Sequence, residues 1–166
     1  GVGLSKNSVD GLRDIAFRMS NAITYRGPDD HGVWIDESQG VGLAHRRLSI
    51  IDLSPAGHQP MLSASGRSVI VYNGEVFNFA EIRLELERKG VRFRGHSDTE
   101  VILEACEIWG VEETAKRLIG MFAFAIWDRQ ERTLSLVRDR LGIKPLYWGN
   151  YKGAFLFASE LKAMKA

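Results

Sequence analysis

Three short stretches of the sequence carry residue types able to act on a small polar molecule. In VYNGEVFN (residues 71–78), Asn73 sets a side-chain amide beside the unhindered backbone N–H of Gly74. Such a donor pair can hold a developing oxyanion. Asn-Gly after an apolar run is also the strongest short-range signal for a β-hairpin turn, and both readings stand at this point. In HRRLSIID (residues 45–52), Arg46 and Arg47 adjoin a strand end, where a guanidinium can grip a carboxylate through two parallel hydrogen bonds. Side chains alternate along a strand, so at most one of the two faces inward; the plainer alternative is a solvated surface pair. In HSDTE (residues 96–100), Asp98 falls in the first turn of a helix. The helix dipole favours a carboxylate there, and the same carboxylate could face a ligand ammonium. An Arg for a carboxylate, an Asp for an ammonium and an amide-plus-backbone oxyanion hole together describe an α-amino acid whose side-chain carbonyl is attacked.

The elements that must position these residues follow from periodicity and punctuation. Val9, Leu12, Ile15, Ala16, Met19 and Ile23 recur at helical spacing, predicting an amphipathic helix over Ser8–Ile23 with Asn7 or Ser8 as N-cap. YRGPDDHG breaks it. Short strands are expected at Gly32–Ile35 and Val41–Arg46, then a loop through IDLSPAGHQPM. Ser68–Tyr72 reads as a β-branched strand running into Asn73-Gly74. A hairpin there needs a return strand, yet only Glu75, Val76 and Phe77 precede Asn78, the lower limit for a strand. Asn78 with Glu81, and Ser97 with Glu100, read as capping boxes, the second opening a helix that carries Val101, Ala105 and Trp109. A short helix fits Val111–Leu118. Hairpins are expected from MFAFAIWD and TLSLVRD around RQER, and from KPLYWG and AFLFAS around NYKG. Phe122, Phe124 and Ile126 alternate with Met121, Ala123, Ala125 and Trp127, so both faces of that strand are apolar and both need cover. The inferred architecture is an α/β sandwich of several layers.

Bulk properties narrow the function. The chain has 166 residues, 45% hydrophobic and 26% charged, with a net charge of +1. That suits a single globular domain and offers no field that would draw nucleic acid or an anionic membrane. No apolar run approaches a membrane span and no signal-peptide h-region is present. The single cysteine, Cys106, excludes an intrachain disulfide and points to a reducing, cytoplasmic setting. Cys106 sits in mid-helix between Glu104 and Glu107, where a thiolate is disfavoured, so it is expected to serve packing. His31, His45, His58 and His96 show no metal-ligand spacing.

RGPDDHG, HRRLSIID, GHQPM, YNGEVFN, SDTEVIL, GMFAFAIWD and RDRLGIKPLYWG occur in this order along the chain. Together they resemble the class II glutamine amidotransferases, above all the glutaminase domain of glutamine-hydrolysing asparagine synthetases, from about Tyr25 to the C-terminus. The resemblance implies an N-terminal-nucleophile hydrolase fold, a four-layer αββα sandwich of two antiparallel sheets. It implies hydrolysis of glutamine to glutamate and ammonia by an N-terminal Cys whose α-amine is the general base. Asn73 and Gly74 match the oxyanion hole. Arg47 matches the ligand of the glutamine α-carboxylate, with Leu48, Ser49, Ile50 and Ile51 lining that edge. Glu75 and Asp98 match the partners of the α-ammonium, and RGPDDHG the loop beside the nucleophile. No cofactor is expected in this domain. ATP and magnesium belong to a synthetase domain that follows in the family and receives the ammonia. The partners implied are glutamine and that domain, with a second copy of the chain left open, and neither nucleic acid nor membrane.

The sequence departs from the family at its ends. Family members begin Met-Cys-Gly-Ile, whereas Gly1 is followed by VGLSKN. The expectation is a domain cut at both ends, lacking about seven to ten residues, one short strand, and inactive as written for want of the nucleophile. The other readings are a degenerate module that binds glutamine or serves as a scaffold without catalysis, and an unrelated α/β sandwich using these motifs structurally.

Overall fold

A computed structural model of the chain describes residues 7–48 and 57–166, with the backbone alone for residues 7–10. In chain order its elements begin with helix α1 (Asn7–Asn21), a 3-10 turn at Thr24–Arg26, and strands β1 (Asp30–Asp36), β2 (Val41–Arg47), β3 (Met61–Leu62) and β4 (Ser68–Val76). Helices α2 (Phe79–Arg88), α3 (Asp98–Trp109) and α4 (Val111–Arg117) follow. Strands β5 (Gly120–Asp128), β6 (Thr133–Arg138), β7 (Tyr147–Tyr151) and β8 (Ala154–Ala158) then lead to α5 (Leu161–Met164). Every strand pairing among the described residues is antiparallel. The chain divides into two compact units, Gly1–Ser49 with Leu146–Ala166, and Ile50–Pro145.

In the first unit, β1 and β2 pair from Asp30↔Arg47 to Asp36↔Val41, with α1 packed on them. The contact is close because Gly42 has no side chain: a Cβ there would stand 3.3 Å from Leu12 Cδ1. Ala16 and Ser20 are buried, but Ile15, expected on the apolar stripe, is 41% exposed. The stripe centres on Leu12, Ala16 and Met19, which leaves Ile15 at its margin. β7 and β8 form a hairpin turning at Lys152 and Gly153, both at positive φ (48° and 82°), as a type I′ turn requires.

The second unit is a four-stranded sheet in the order β3-β4-β5-β6. Ile70, Tyr72 and Val76 of β4 and Phe122, Phe124 and Ile126 of β5 share one core with Ile82 and Leu86 of α2 and Val101, Ile102 and Ala105 of α3. On the opposite face, Val69, Val71, Ala123, Ala125 and Trp127 are buried as well. The doubly apolar strand therefore has the cover on both faces that its composition demands.

Asn73-Gly74 is not a turn. It lies inside β4, with Asn73 opposite Ala123 and Gly74 opposite Phe122. A continuous nine-residue strand satisfies more backbone groups than a tight turn would. The pairing is possible because both strands carry glycine at this corner. A Cβ on Gly74 would collide with Met121 O, and one on Gly120 would collide with Glu75 O.

Neither capping box forms as such. The Asn78 side chain makes no cap bond to α2 and instead bridges to the α4–β5 connection, donating to Arg117 O (3.0 Å) and accepting from Ile119 N–H (2.9 Å). Ser97 does cap α3, accepting from Glu100 N–H at 3.3 Å. The Glu100 carboxylate turns outward from the cap, accepting Arg94 N–H and Gly95 N–H, both at 2.9 Å, and the Arg94 guanidinium.

Candidate active site

The pairing register sets which backbone groups β4 turns outward. Phe122 directs both of its backbone groups to Asp139, donating to the side chain at 3.2 Å and accepting from Asp139 N–H at 2.8 Å. Gly74, opposite it, therefore forms a pair without mutual hydrogen bonds. In the same alternation Phe77 N–H points to β5, bonding Ile119 O at 2.8 Å. Even-numbered residues of β4 thus aim their N–H groups away from β5. β3 covers that edge only at Val69 and Ile70. Beyond it, Tyr72 N–H donates to Gln59 Oε1 (2.6 Å) and Val76 N–H to Asp98 Oδ2 (3.2 Å). Gly74 N–H lies between them on the same edge.

Beside it, Asn73 Nδ2 is shut off from solvent and has no hydrogen-bond partner among the described residues. A buried amide nitrogen left unpaired costs about 1–3 kcal/mol, and such exceptions in native proteins call for a reason. An incoming oxygen would supply one. Asn73 Nδ2 and Gly74 N–H are adjacent donors, oriented before any ligand arrives, which is the arrangement that stabilises an oxyanion.

Asp98 reaches the same corner from the first turn of α3. Its Oδ2 accepts the Tyr72 hydroxyl at 2.5 Å as well as Val76 N–H. Burial raises its pKa above the ordinary carboxylate range, against the lowering effect of those hydrogen bonds. Burial likewise raises the Tyr72 phenol, reinforced by the charge of Asp98, so Tyr72 stays protonated as a donor. A partly desolvated carboxylate favours an opposite charge brought to it. Glu75 is exposed and shares the Asn73 face of β4. Asn73, Gly74, Glu75 and Asp98 are thus brought together on one strand and the helix N-terminus packed beside it.

Arg47 belongs to the first unit, at the last position of β2. The two arginines do alternate. Arg46 turns to the end of α1, donating to Ser20 O (3.3 Å) and to Asn21 Oδ1, which leaves Arg47 on the other face. The RGPDDHG loop seats this strand end. Asp29 N–H donates to Arg47 O at 3.1 Å, and a Cβ on Gly27 would fall 2.6 Å from Arg47 N. Glu160 anchors the start of that loop, accepting from the Tyr25 hydroxyl and from Arg26 Nη1 at 2.7 Å. Leu48 is 53% exposed, and Ser49, Ile50 and Ile51 lie outside the described residues.

Cys106 is buried in the α3 core, and burial pushes its thiol up to about 12. It is a packing residue and not a nucleophile. Among the described residues, no group of three or more His, Cys, Asp or Glu side chains could hold a metal ion, and no helix is long and apolar enough to cross a membrane. Sequence reasoning passed over Gln59, Tyr72 and Gly120. All three stand inside the GHQPM, YNGEVFN and GMFAFAIWD motifs, but contacts across strands and helices leave no local mark.

Comparison with known structures identifies the fold. The structure titled as the allosteric regulatory enzyme of purine biosynthesis superposes with a TM-score of 0.77 at 23% identity, over 92% of this chain and 40% of that one. Glutamine phosphoribosylpyrophosphate amidotransferase from B. subtilis superposes with a TM-score of 0.75 at 21% identity, over the same 92% and 40%. The fold is the antiparallel α/β fold of the N-terminal-nucleophile amidotransferases.

The sequence places the chain more closely. Residues 2–166 match the glutamine amidotransferase domain family, and the chain belongs to it. It is 44% identical over 146 residues to asparagine synthetase [glutamine-hydrolyzing] 2 of Bacillus subtilis (strain 168), covering 88% of this chain and 19% of that protein. To the putative asparagine synthetase [glutamine-hydrolyzing] 2 of Methanocaldococcus jannaschii it is 35% identical over 180 residues, covering 99% and 34%. To amidase chry2 of Gibberella zeae it is 39% identical over 144 residues, covering 87% and 21%. The chain thus spans between about a fifth and a third of the length of these relatives.

Proposed function

We propose that the chain forms the glutamine site of an asparagine synthetase-like enzyme, releasing ammonia from the glutamine side chain. Asn73 Nδ2 carries the reading: it is a buried donor without a partner among the described residues, beside a glycine whose N–H the register turns out of the ladder. In this reading Asn73 and Gly74 hold the oxyanion formed on the glutamine side-chain carbonyl. Asp98 with Glu75 receives the α-ammonium, and Arg47, with the edge from Leu48 through Ser49, Ile50 and Ile51, receives the α-carboxylate. In the family the nucleophile is an N-terminal Cys, and Cys106, buried with its thiol pushed up to about 12, is unsuited to that role.

The ammonia passes to a synthetase domain in the same polypeptide, a reading supported by the names and greater lengths of the relatives; ATP and magnesium would serve that domain, as the family resemblance implies. Aspartate is the default acceptor. This domain needs no cofactor of its own, works in the cytoplasm, and leaves association with a second copy open.

The test compares glutamate release from L-glutamine by this chain and by a version bearing an N-terminal Cys-Gly-Ile segment. Activity in the extended version alone, abolished by Asn73→Ala or Arg47→Ala, supports the reading. If both versions fold and bind glutamine but neither hydrolyses it, the domain is a glutamine-binding module and the catalytic roles of Asn73 and Gly74 are wrong.

A further inference from the structure

Along the outward edge of β4, the N–H groups of residues 72, 74 and 76 line up, and the outer two are taken by side chains from elsewhere. Gln59 is 6% exposed. Its Oε1 accepts Tyr72 N–H at 2.6 Å and its Nε2 donates to Thr99 Oγ1 at 3.3 Å. Thr99 follows Asp98 in the first turn of α3. The Tyr72 side chain makes a second link to that turn, its hydroxyl donating to Asp98 Oδ2 at 2.5 Å. Two bridges therefore join the β4 edge to the first turn of α3, one at Asp98 and one at the adjacent Thr99. Both start at Tyr72, one from its N–H and one from its hydroxyl.

We propose that Tyr72 and Gln59 are positioning residues for glutamine: Tyr72 holds the Asp98 carboxylate in place for the α-ammonium, and Gln59 locks the β4 edge to α3 so that Gly74 N–H and Asp98 keep their spacing. This rests on the glutamine site proposed above and assigns two residues to it. A phenol is suited to this task. It presents one donor on a rigid ring buried in the core, and it stays neutral at every pH at which the site would work. Asp98 needs that donor because burial disfavours its ionised form, which the hydrogen bonds it accepts offset. The other charged groups near it are elsewhere engaged or exposed. Glu75 on β4 is exposed. Glu100, on its own helix, bonds Arg94 and Gly95. On α2, Arg83 is bonded to Glu87 and to Gly95 O, and on α4 Lys116 pairs with Glu112 while Arg117 pairs with Glu113 and with Glu85 of α2. β3 contributes Met61 and Leu62, which do not titrate.

The position of Asp98 makes binding depend on pH in a definite sense. Glutamine requires the ionised carboxylate, so affinity holds above the Asp98 pKa and falls as pH drops through it. Without the Tyr72 hydroxyl the ionised form loses a hydrogen bond, and the acid limb must move to higher pH.

The experiment measures the Kd of this chain for L-glutamine by calorimetry from pH 4 to pH 8, in wild type, Tyr72→Phe, Gln59→Met and Asp98→Asn, with the Asp98 carboxyl titrated by 13C NMR in parallel. Asp98→Asn should weaken binding at every pH and erase the acid limb. Tyr72→Phe, which keeps the ring in the core, should move both the limb and the carboxyl titration upward by about one unit. Gln59→Met keeps the volume without adding a charge but removes both the acceptor for Tyr72 N–H and the donor to Thr99, and should weaken binding several-fold without moving the limb. If Asp98→Asn loses binding while Tyr72→Phe leaves Kd and titration unchanged, the positioning role is wrong and the glutamine site stands. If Asp98→Asn binds as wild type does, or wild type does not bind, the glutamine site itself is wrong and the positioning roles fall with it.

Discussion

Replacing Asn73 by alanine should separate catalysis from stability in a way that ordinary core substitutions do not. Asn73 Nδ2 is buried and unpartnered among the described residues, so the folded protein bears the desolvation cost of that donor, about 1–3 kcal/mol. Alanine removes it. The substitution also discards a little packing, about 0.8 kcal/mol for each methylene-sized group. The sum lies between roughly neutral and a gain of about 2 kcal/mol. For a chain of this size, each kcal/mol moves the melting temperature by about 2–4 °C. Turnover should move the other way. Losing one oxyanion donor costs about 10²–10³ in kcat, or roughly 3–4 kcal/mol of transition-state stabilisation. The assay pairs thermal unfolding of the Asn73→Ala chain with glutamate release from the version bearing the N-terminal Cys-Gly-Ile segment. A melting temperature unchanged or higher, with kcat down at least a hundredfold, is the expected result. A destabilisation typical of buried truncations, about 2–5 kcal/mol, or turnover within a few-fold of wild type, would refute the assignment of Asn73 as a donor waiting for a ligand.

Three further outcomes follow from the packing. Gly27→Ala would place a Cβ 2.5 Å from Arg46 C; overpacking of about 1–3 kcal/mol should shift the Arg46–Arg47 peptide and weaken glutamine binding, and unchanged affinity and melting temperature would refute the seating role of the loop. Cys106, with its thiol pushed up to about 12 by burial, should resist iodoacetamide at neutral pH until the chain is unfolded; labelling of the native chain at a free-thiol rate would contradict its burial. Glu100 should couple folding to acid. Burial works to raise its pKa, but the N–H groups of Arg94 and Gly95 and the Arg94 guanidinium prevail and hold it below the usual value. Its stabilisation is therefore complete above the unfolded-state pKa of about 4.3 and lost as pH falls through the lower folded value. Glu100→Gln should cost about 2–4 kcal/mol at neutral pH and flatten that acid slope in urea titrations, and an unchanged slope would exclude Glu100 as its source.

Much of this protein is legible in residue order. The seven motifs point to the family, and the β5–β6 hairpin falls around RQER as the pattern predicts. The double apolar character of β5 correctly requires cover on both faces. The alternation of Arg46 and Arg47 singles out one of them, though not which one. Those features depend on local periodicity, and a linear sequence contains all the information they need.

Whether Asn73-Gly74 turns or runs straight is another matter. Local propensity favours a turn, and the straight strand wins because Gly74 and Gly120 let β4 and β5 approach closely over nine paired positions. Asn78 and Glu100 carry capping-box signatures, yet each side chain finds better partners, in the α4–β5 connection and in Arg94 and Gly95. Gln59 meets Tyr72 across 13 positions of chain, and Tyr72 meets Asp98 across 26. Residue types alone could nominate an oxyanion donor and a counter-charge. Only the antiparallel register, which turns alternate N–H groups outward, could decide that Gly74 faces away from β5 while its neighbours on that edge are bonded.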